Sequence, residues 1–92
     1  MSGGTVQREV RITNKRGLHA RASARFVTLA SGQAAEIEVE KDGTRVAGTS
    51  IMGLMMLGAA MGDSITIHAS GQEAESALTL LCELVETKFG ED

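Results

Sequence analysis

Only two of the 92 residues are aromatic, Phe26 and Phe89, and tryptophan and tyrosine are absent. A core built from this chain must therefore be aliphatic. The single cysteine, Cys82, excludes an internal disulfide and leaves a zinc site without partner ligands. No dense run of lysine or arginine occurs, and the formal net charge of −3 argues against a grip on nucleic acid. No apolar run approaches the ~20 residues that a bilayer-spanning helix needs, so no membrane insertion is expected. No positively charged leader followed by an apolar stretch opens the chain. Low-complexity segments and internal repeats are missing as well. These absences argue against a disulfide scaffold, a membrane span and a nucleic-acid binder, and lead us to expect a reduced, cytoplasmic domain; a monomer is expected as well.

What is present suits a globular fold. A hydrophobic share of 42% is ordinary, and the length allows one modest core. One domain over residues 1–92 is expected, with residues 1–4 a flexible start. The basic residues lean towards the first half, Arg8 to Arg25, while the stretch from Glu73 to Asp92 is acidic.

Val6, Val10 and Ile12 alternate with polar residues as in a half-buried strand, with Arg8 breaking the apolar face. After the turn "NKRG" the period changes. From Ala20 to Ala30 the apolar residues Ala22, Phe26 and Ala30 share a side with Ser23 and Val27, and Arg21, Arg25 and Thr28 gather opposite. That pattern predicts an amphipathic helix. Ala35, Ile37 and Val39 alternate with Glu36, Glu38 and Glu40, and "KDGT" then supplies an Asp-Gly turn into "RVA", a hairpin signal. Ser50 to Leu57 is short and apolar, between Gly48 and Gly58. Ile65, Ile67 and Ala69 mark another strand. Ser70-Gly-Gln-Glu73 reads as a capping box. It would open a helix with Ala74, Ala77, Leu78, Leu81, Cys82 and Val85 on one face and a stop near Gly90. The order β-α-β-β-(short α)-β-α predicts helices covering one face of a mainly antiparallel sheet. A ferredoxin-like domain shares most of this order, but its second crossover helix would be longer than the residues available.

One of the two histidines, His19 in "NKRGLHARAS", falls where the first helix begins. The first N–H groups of a helix have no internal partners, and the macrodipole places partial positive charge there. An anion beside His19 would meet the N–H groups of Ala20 and Arg21. The Arg21 guanidinium could bind two phosphate oxygens, and Gly17 would let the backbone turn tightly just ahead. A positive field favours the neutral imidazole, whose lone pair can attack phosphorus, and a phosphorylated ring then carries the charge the site prefers. Position alone fits a simple polar cap as well. No carboxylate pair, second nucleophile or metal-ligand cluster lies nearby in sequence, so neither a complete hydrolytic site nor a metal is indicated.

"GLHARAS" together with "TSIMGLMMLGAAMGD" resembles the histidine-containing phosphocarrier family HPr of the bacterial phosphotransferase system, over nearly the whole chain. The resemblance implies an α+β fold, an open-faced β-sandwich of four antiparallel strands in the order 1-4-2-3 with three helices on one face. It implies that His19 accepts a phosphoryl group at Nδ1 from enzyme I and passes it to a histidine of an enzyme IIA domain, with Arg21 beside the phosphoryl group. The protein would be a carrier without turnover of its own and without a cofactor. The family usually has proline after the arginine, where this chain has Ala22. Alanine is an excellent helix former, so the geometry should survive.

Four of the five methionines fall in "SIMGLMMLGAAMG". Leu54 and Leu57 read as core. Ile51, Met52 and Met55 are expected to be partly exposed near His19, where flexible side chains suit a surface that fits several partners. In the family this patch and the first helix, here with Arg25, form the docking face. Ser50 can cap the short helix, and it also matches the family's regulatory serine, a target of HPr kinase/phosphorylase in some bacteria. The paired methionines and the "FGED" ending look more like the nitrogen-regulatory branch than the sugar branch. His68 is expected to face solvent, and Cys82 to be inert core. Glu36, Glu38 and Glu40 read as a solvated strand face. Two other readings compete: a regulatory module binding proteins through Ser50 and Met52 without a phosphoryl relay, and a small anion-binding domain of ferredoxin-like fold.

Overall fold

The computed structural model describes residues 4–91. The elements follow in the order β1 (Thr5–Arg11), α1 (Ala20–Ser31), β2 (Glu36–Lys41), β3 (Thr44–Ala47), α2 (Ile51–Met56), β4 (Ser64–Ser70) and α3 (Ala74–Glu86), with a short final turn at Lys88–Gly90. The sheet order is β1-β4-β2-β3 with every pairing antiparallel, as expected. The long insertion of β4 between β1 and β2 means that neither hairpin neighbours nor local turns hold β1. Thr5 pairs with Ser70 and Arg11 with Ser64.

The alternation read from the sequence sets which side each strand shows to the helices. Val10, Ile12, Ile37, Val39, Ile65, Ile67 and Ala69 are all buried beneath the helical layer. Arg8 on the same side of β1 remains exposed, and its charged end reaches the Cys82 thiol of α3. The β2–β3 turn is the Asp-Gly pair, with φ 50° at Asp42 and 84° at Gly43. Positive φ at both central residues is the demand of a type I′ hairpin, whose twist matches that of its strands.

α1 buries Ala22, Ser23, Phe26 and Ala30, and α3 buries Ala74, Ala77, Leu78, Leu81, Cys82 and Val85. Both aromatic residues are fully enclosed. Burying a phenylalanine contributes about 1.5–3 kcal/mol, so these two anchor a core otherwise made of small aliphatics.

Two expectations need correction. The capping box at Ser70–Glu73 does not form. Ser70 remains in the sheet, paired with Thr5 and Glu36, and Gly71 (φ 90°) and Glu73 (φ 59°) turn the chain so that α3 opens only at Ala74, without a side-chain cap. At the other end, α3 stops at Glu86 instead of near Gly90. Lys88, Phe89 and Gly90 then take left-handed φ values of 60°, 55° and 78°, a reversal that drives Phe89 into the core. Of the expected flexible start, residues 1–3 lie outside the described residues. Gly4 is exposed, and its carbonyl accepts from the Gly71 N–H at 3.3 Å.

Candidate functional site

The loop between β1 and α1 is held from below. Leu18 N–H donates to the Ala59 carbonyl at 3.0 Å, and Ile12 is bonded on both sides of the β4 approach, donating to Asp63 and accepting from Gly62. Gly17 sits at φ 64°, where a Cβ would lie 2.2 Å from the Ala59 oxygen. Only glycine permits both the left-handed backbone and that approach. Its own N–H is committed to the Asn14 carbonyl at 3.2 Å. Gly17 therefore shapes the loop just ahead of His19, with its own N–H engaged inside that loop.

His19 follows in an extended conformation (φ −73°, ψ 179°) and is the N-cap of α1. Its carbonyl accepts from Ser23 N–H at 2.9 Å, closing the first turn. The Ser23 hydroxyl, buried inside that turn, donates to the Leu18 carbonyl at 3.2 Å. This places the imidazole over the helix N-terminus, with Nδ1 accepting from the Arg21 backbone N–H at 3.3 Å. On the far side of the ring, Nε2 lies 2.5 Å from Glu91 Oε2. A backbone N–H can only donate and a carboxylate only accept. Both neighbours therefore select one form of the neutral ring, with the proton on Nε2 and the lone pair on Nδ1.

Sequence reasoning missed Glu91 and Asn14 as parts of the site. The fully buried Asn14 amide donates to the Gly17 carbonyl at 2.8 Å and to Glu91 Oε1 at 3.1 Å. The hydrogen bond with His19 holds the Glu91 carboxyl below its ordinary value, outweighing partial burial, with the Asn14 hydrogen bond and the charge of Arg25 acting in the same sense. The "FGED" ending was noted only for its acidity. Nothing in its spacing shows that it folds back onto a residue more than seventy positions earlier.

Around the ring, Ala20 and Arg21 occupy the exposed start of α1, where first-turn N–H groups lie outside the helix's own ladder. Ala22, at the place where proline was noted as usual, is fully buried and the helix begins at Ala20 regardless. Arg25 is exposed overall, but its guanidinium donates to the Phe89 carbonyl. It is thus turned towards the C-terminal segment and holds it in place.

The methionine segment divides as expected. Leu54 and Leu57 are buried, whereas Ile51, Met52 and Met55 are exposed, together with Met56 (78%) and Met61. α2 packs against α1, so the α2 surface adjoins the helix that carries the imidazole. The Ser50 hydroxyl accepts from Gly53 N–H at 2.9 Å and caps α2. Cys82 is buried, and burial pushes its thiol up. His68 departs from expectation. It points to the open face of the sheet, yet is only 6% exposed, because neighbouring strands crowd it and Nε2 is 2.8 Å from Glu40 Oε1. Glu38 on the same face is bound by Arg45 at 2.7 Å. Among the described residues no group of His, Cys, Asp and Glu could hold a metal ion, and no helix is long and apolar enough to cross a membrane.

An imidazole with its lone pair on Nδ1, set at a helix N-terminus on an open-faced β-sandwich, defines a phosphoryl-carrier architecture. The family model described as "PTS HPr component phosphorylation site" matches residues 6–87. The chain is 43% identical over 86 residues to the phosphocarrier protein NPr of Shewanella violacea, covering 94% of both proteins. It is 44% identical over 86 residues to phosphocarrier protein HPr of Neisseria meningitidis serogroup A, covering 94% of this chain and 97% of that protein. Among solved structures, HPr of Thermoanaerobacter tengcongensis superposes with a TM-score of 0.90 at 44% identity, covering 95% of this chain and 98% of that one. The chain belongs to the HPr family of the phosphotransferase system: it is a phosphocarrier bearing a histidine phosphorylation site, and not itself a catalyst. Membership implies enzyme I and an enzyme IIA domain as partners. HPr and NPr relatives stand at nearly equal identity.

Proposed function

We propose that His19 is the carrier residue, that Nδ1 takes the phosphoryl group from phospho-enzyme I, and that the group passes to a histidine of an enzyme IIA domain. The observation supporting this is the pairing of one ring with two unlike neighbours. The Arg21 N–H keeps the Nδ1 lone pair at the positive end of α1, and Glu91 keeps the proton on Nε2. The product phosphate would meet the first-turn N–H groups of Ala20 and Arg21 and the Arg21 guanidinium. Helix-end stabilisation of an anion is about 0.3–2 kcal/mol, enough to hold the group without trapping it. Incubation with enzyme I, Mg²⁺ and phosphoenolpyruvate, followed by intact-protein mass spectrometry, should show one acid-labile phosphoryl group on the wild type and none on His19→Ala. No transfer to the wild type from its cognate enzyme I would move the assignment to a regulatory module.

Docking falls to Ile51, Met52 and Met55, whose exposure beside α1 supports a surface able to adapt to two partners. Arg25, exposed on α1, contributes to the docking face by fixing the C-terminal segment through the Phe89 carbonyl. Ser50 caps the helix that carries this patch, so phosphate there adds charge and bulk to the docking face. Phospho-Ser50 protein, a product of HPr kinase/phosphorylase where that enzyme occurs, should accept phosphate at His19 more slowly; equal transfer rates would refute the regulatory role. We assign the chain to the nitrogen-regulatory branch on the paired methionines and the acidic ending, and to the cytoplasm on its family membership. Faster labelling by a nitrogen-type enzyme I than by a sugar-type one checks that assignment.

A further inference from the structure

The described residues after α3 bring one carboxylate to the His19 ring. Thr87 ends the helix, and the next three residues run left-handed. For Lys88 and Phe89, which are not glycine, such a backbone is disfavoured. The turn is nevertheless held at three points. Phe89 is fully enclosed in the core, its carbonyl is gripped by the Arg25 guanidinium, and Glu91 N–H donates to the Lys88 carbonyl at 2.8 Å. Glu91 then divides its oxygens, one to the Asn14 amide and one to His19 Nε2. Asn14 supports this from a fully buried position at the cost of its own Oδ1, which has no partner among the described residues. An orphaned buried oxygen in the loop before His19 and two left-handed non-glycine residues before Glu91 accompany this contact, and packing alone does not account for them.

We propose that Glu91 is a positioning residue for phosphoryl transfer, fixing the His19 tautomer and balancing the charge that the ring acquires. The role rests on His19 being the carrier residue. When the Nδ1 lone pair attacks phosphorus, the N–P bond of the donor phosphohistidine breaks and its electron pair returns to the donor ring. A new Nδ1–P bond forms on His19. The ring keeps its Nε2 proton throughout, so it becomes an imidazolium while the donor ring becomes neutral, and no proton has to be exchanged with solvent. The carboxylate already hydrogen-bonded to Nε2 faces that developing positive charge. Passing the phosphoryl group onward returns the ring to the neutral Nε2–H form. Without Glu91 the ring can place its proton on Nδ1, where the lone pair is needed.

The test uses the full chain labelled with ¹⁵N, observing the His19 ring at about pH 8, above the ordinary histidine value of ~6.5. Wild type is expected to show one tautomer, Nε2–H, and Glu91→Ala a mixture. Glu91→Gln, whose amide oxygen can still accept from Nε2–H, should retain more of the Nε2–H form than Glu91→Ala while lacking the charge. Transfer from phospho-enzyme I should slow by roughly 10- to 100-fold in Glu91→Ala, the scale of losing a carboxylate that orients a functional histidine. Amide spectra outside the tail should be unchanged, which separates positioning from misfolding. The same tautomer state in wild type and Glu91→Ala, whether one form or a mixture, overturns the proposal, as does an unchanged transfer rate with an altered tautomer. If wild type holds the Nε2–H form but accepts no phosphate, His19 is not the carrier residue, and Glu91's role in transfer falls with it.

Discussion

The two histidines of this protein make the same bond and differ in everything around it. His19 and His68 each set Nε2 against a glutamate carboxylate, Glu91 at 2.5 Å and Glu40 at 2.8 Å. His68 is held in the middle of β4, opposite Gln7 and Glu38, where regular ladders on both sides leave its ring almost no surface. His19 is held at the break between a loop and a helix, with its second nitrogen accepting from a first-turn N–H that has no partner within the helix. A histidine–carboxylate pair by itself is therefore not a site. The second nitrogen, and what it faces, makes the difference.

The largest break in that comparison comes from removing each ring in turn. His19→Ala should abolish phosphoryl acceptance with the fold intact, whereas His68→Ala should retain acceptance and lose about 2 kcal/mol of stability, because a buried, hydrogen-bonded ring is replaced by a cavity. Parallel mass spectrometry and denaturant melts measure both. A smaller effect is expected from Glu40→Ala. It strands a buried imidazole donor, at about 1–3 kcal/mol, with no change in transfer rate; a slowed transfer would mean the two histidines communicate. The smallest effect is one of pH. Glu91 has a carboxyl lowered in the folded state by its bond to His19. Its contribution is thus fully present above the ordinary value of 4.5 and is lost as pH falls through the lowered one. Carboxyl chemical shifts should show Glu91 still ionised where the exposed carboxylates are half-protonated. A titration at the ordinary value would mean that the tail is not docked.

How much of this was legible in the sequence follows from the distance over which each feature is encoded. The strands were readable because a period of two leaves its mark within six residues, and the Asp42-Gly43 turn because its two left-handed positions need those residue types. α1 and the placing of His19 at its start were readable for the same local reason. The sheet order and the full carrier reading came through resemblance, because no local pattern shows which strand lies beside which. Ser70 looked like a cap because its sequence neighbours fit, but pairing with Thr5 and Glu36 claimed it for the sheet. His68 looked wet because its position alternates outward, and only the strands on either side reveal that it is enclosed. Glu91 was the hardest to see. It reaches the ring through left-handed turns at residues that do not favour them, and that conformation is imposed by the burial of Phe89 and the grip of Arg25.

The strand order carries a consequence for how the protein comes into being. β1 has a single strand neighbour, β4, which arrives only after two helices and a hairpin have been made. Contacts so remote along the chain close slowly, since the loop between them must lose its freedom before any of them forms. The His19 loop hangs from that late pairing, through Ile12, Leu18 and the Ala59–Asp63 segment. A partly folded molecule can thus contain α1 and the histidine at its tip and still present no working nucleophile. Recovery of phosphoryl acceptance during refolding would report the closing of the whole sheet, making the carrier's own chemistry a clock for its assembly.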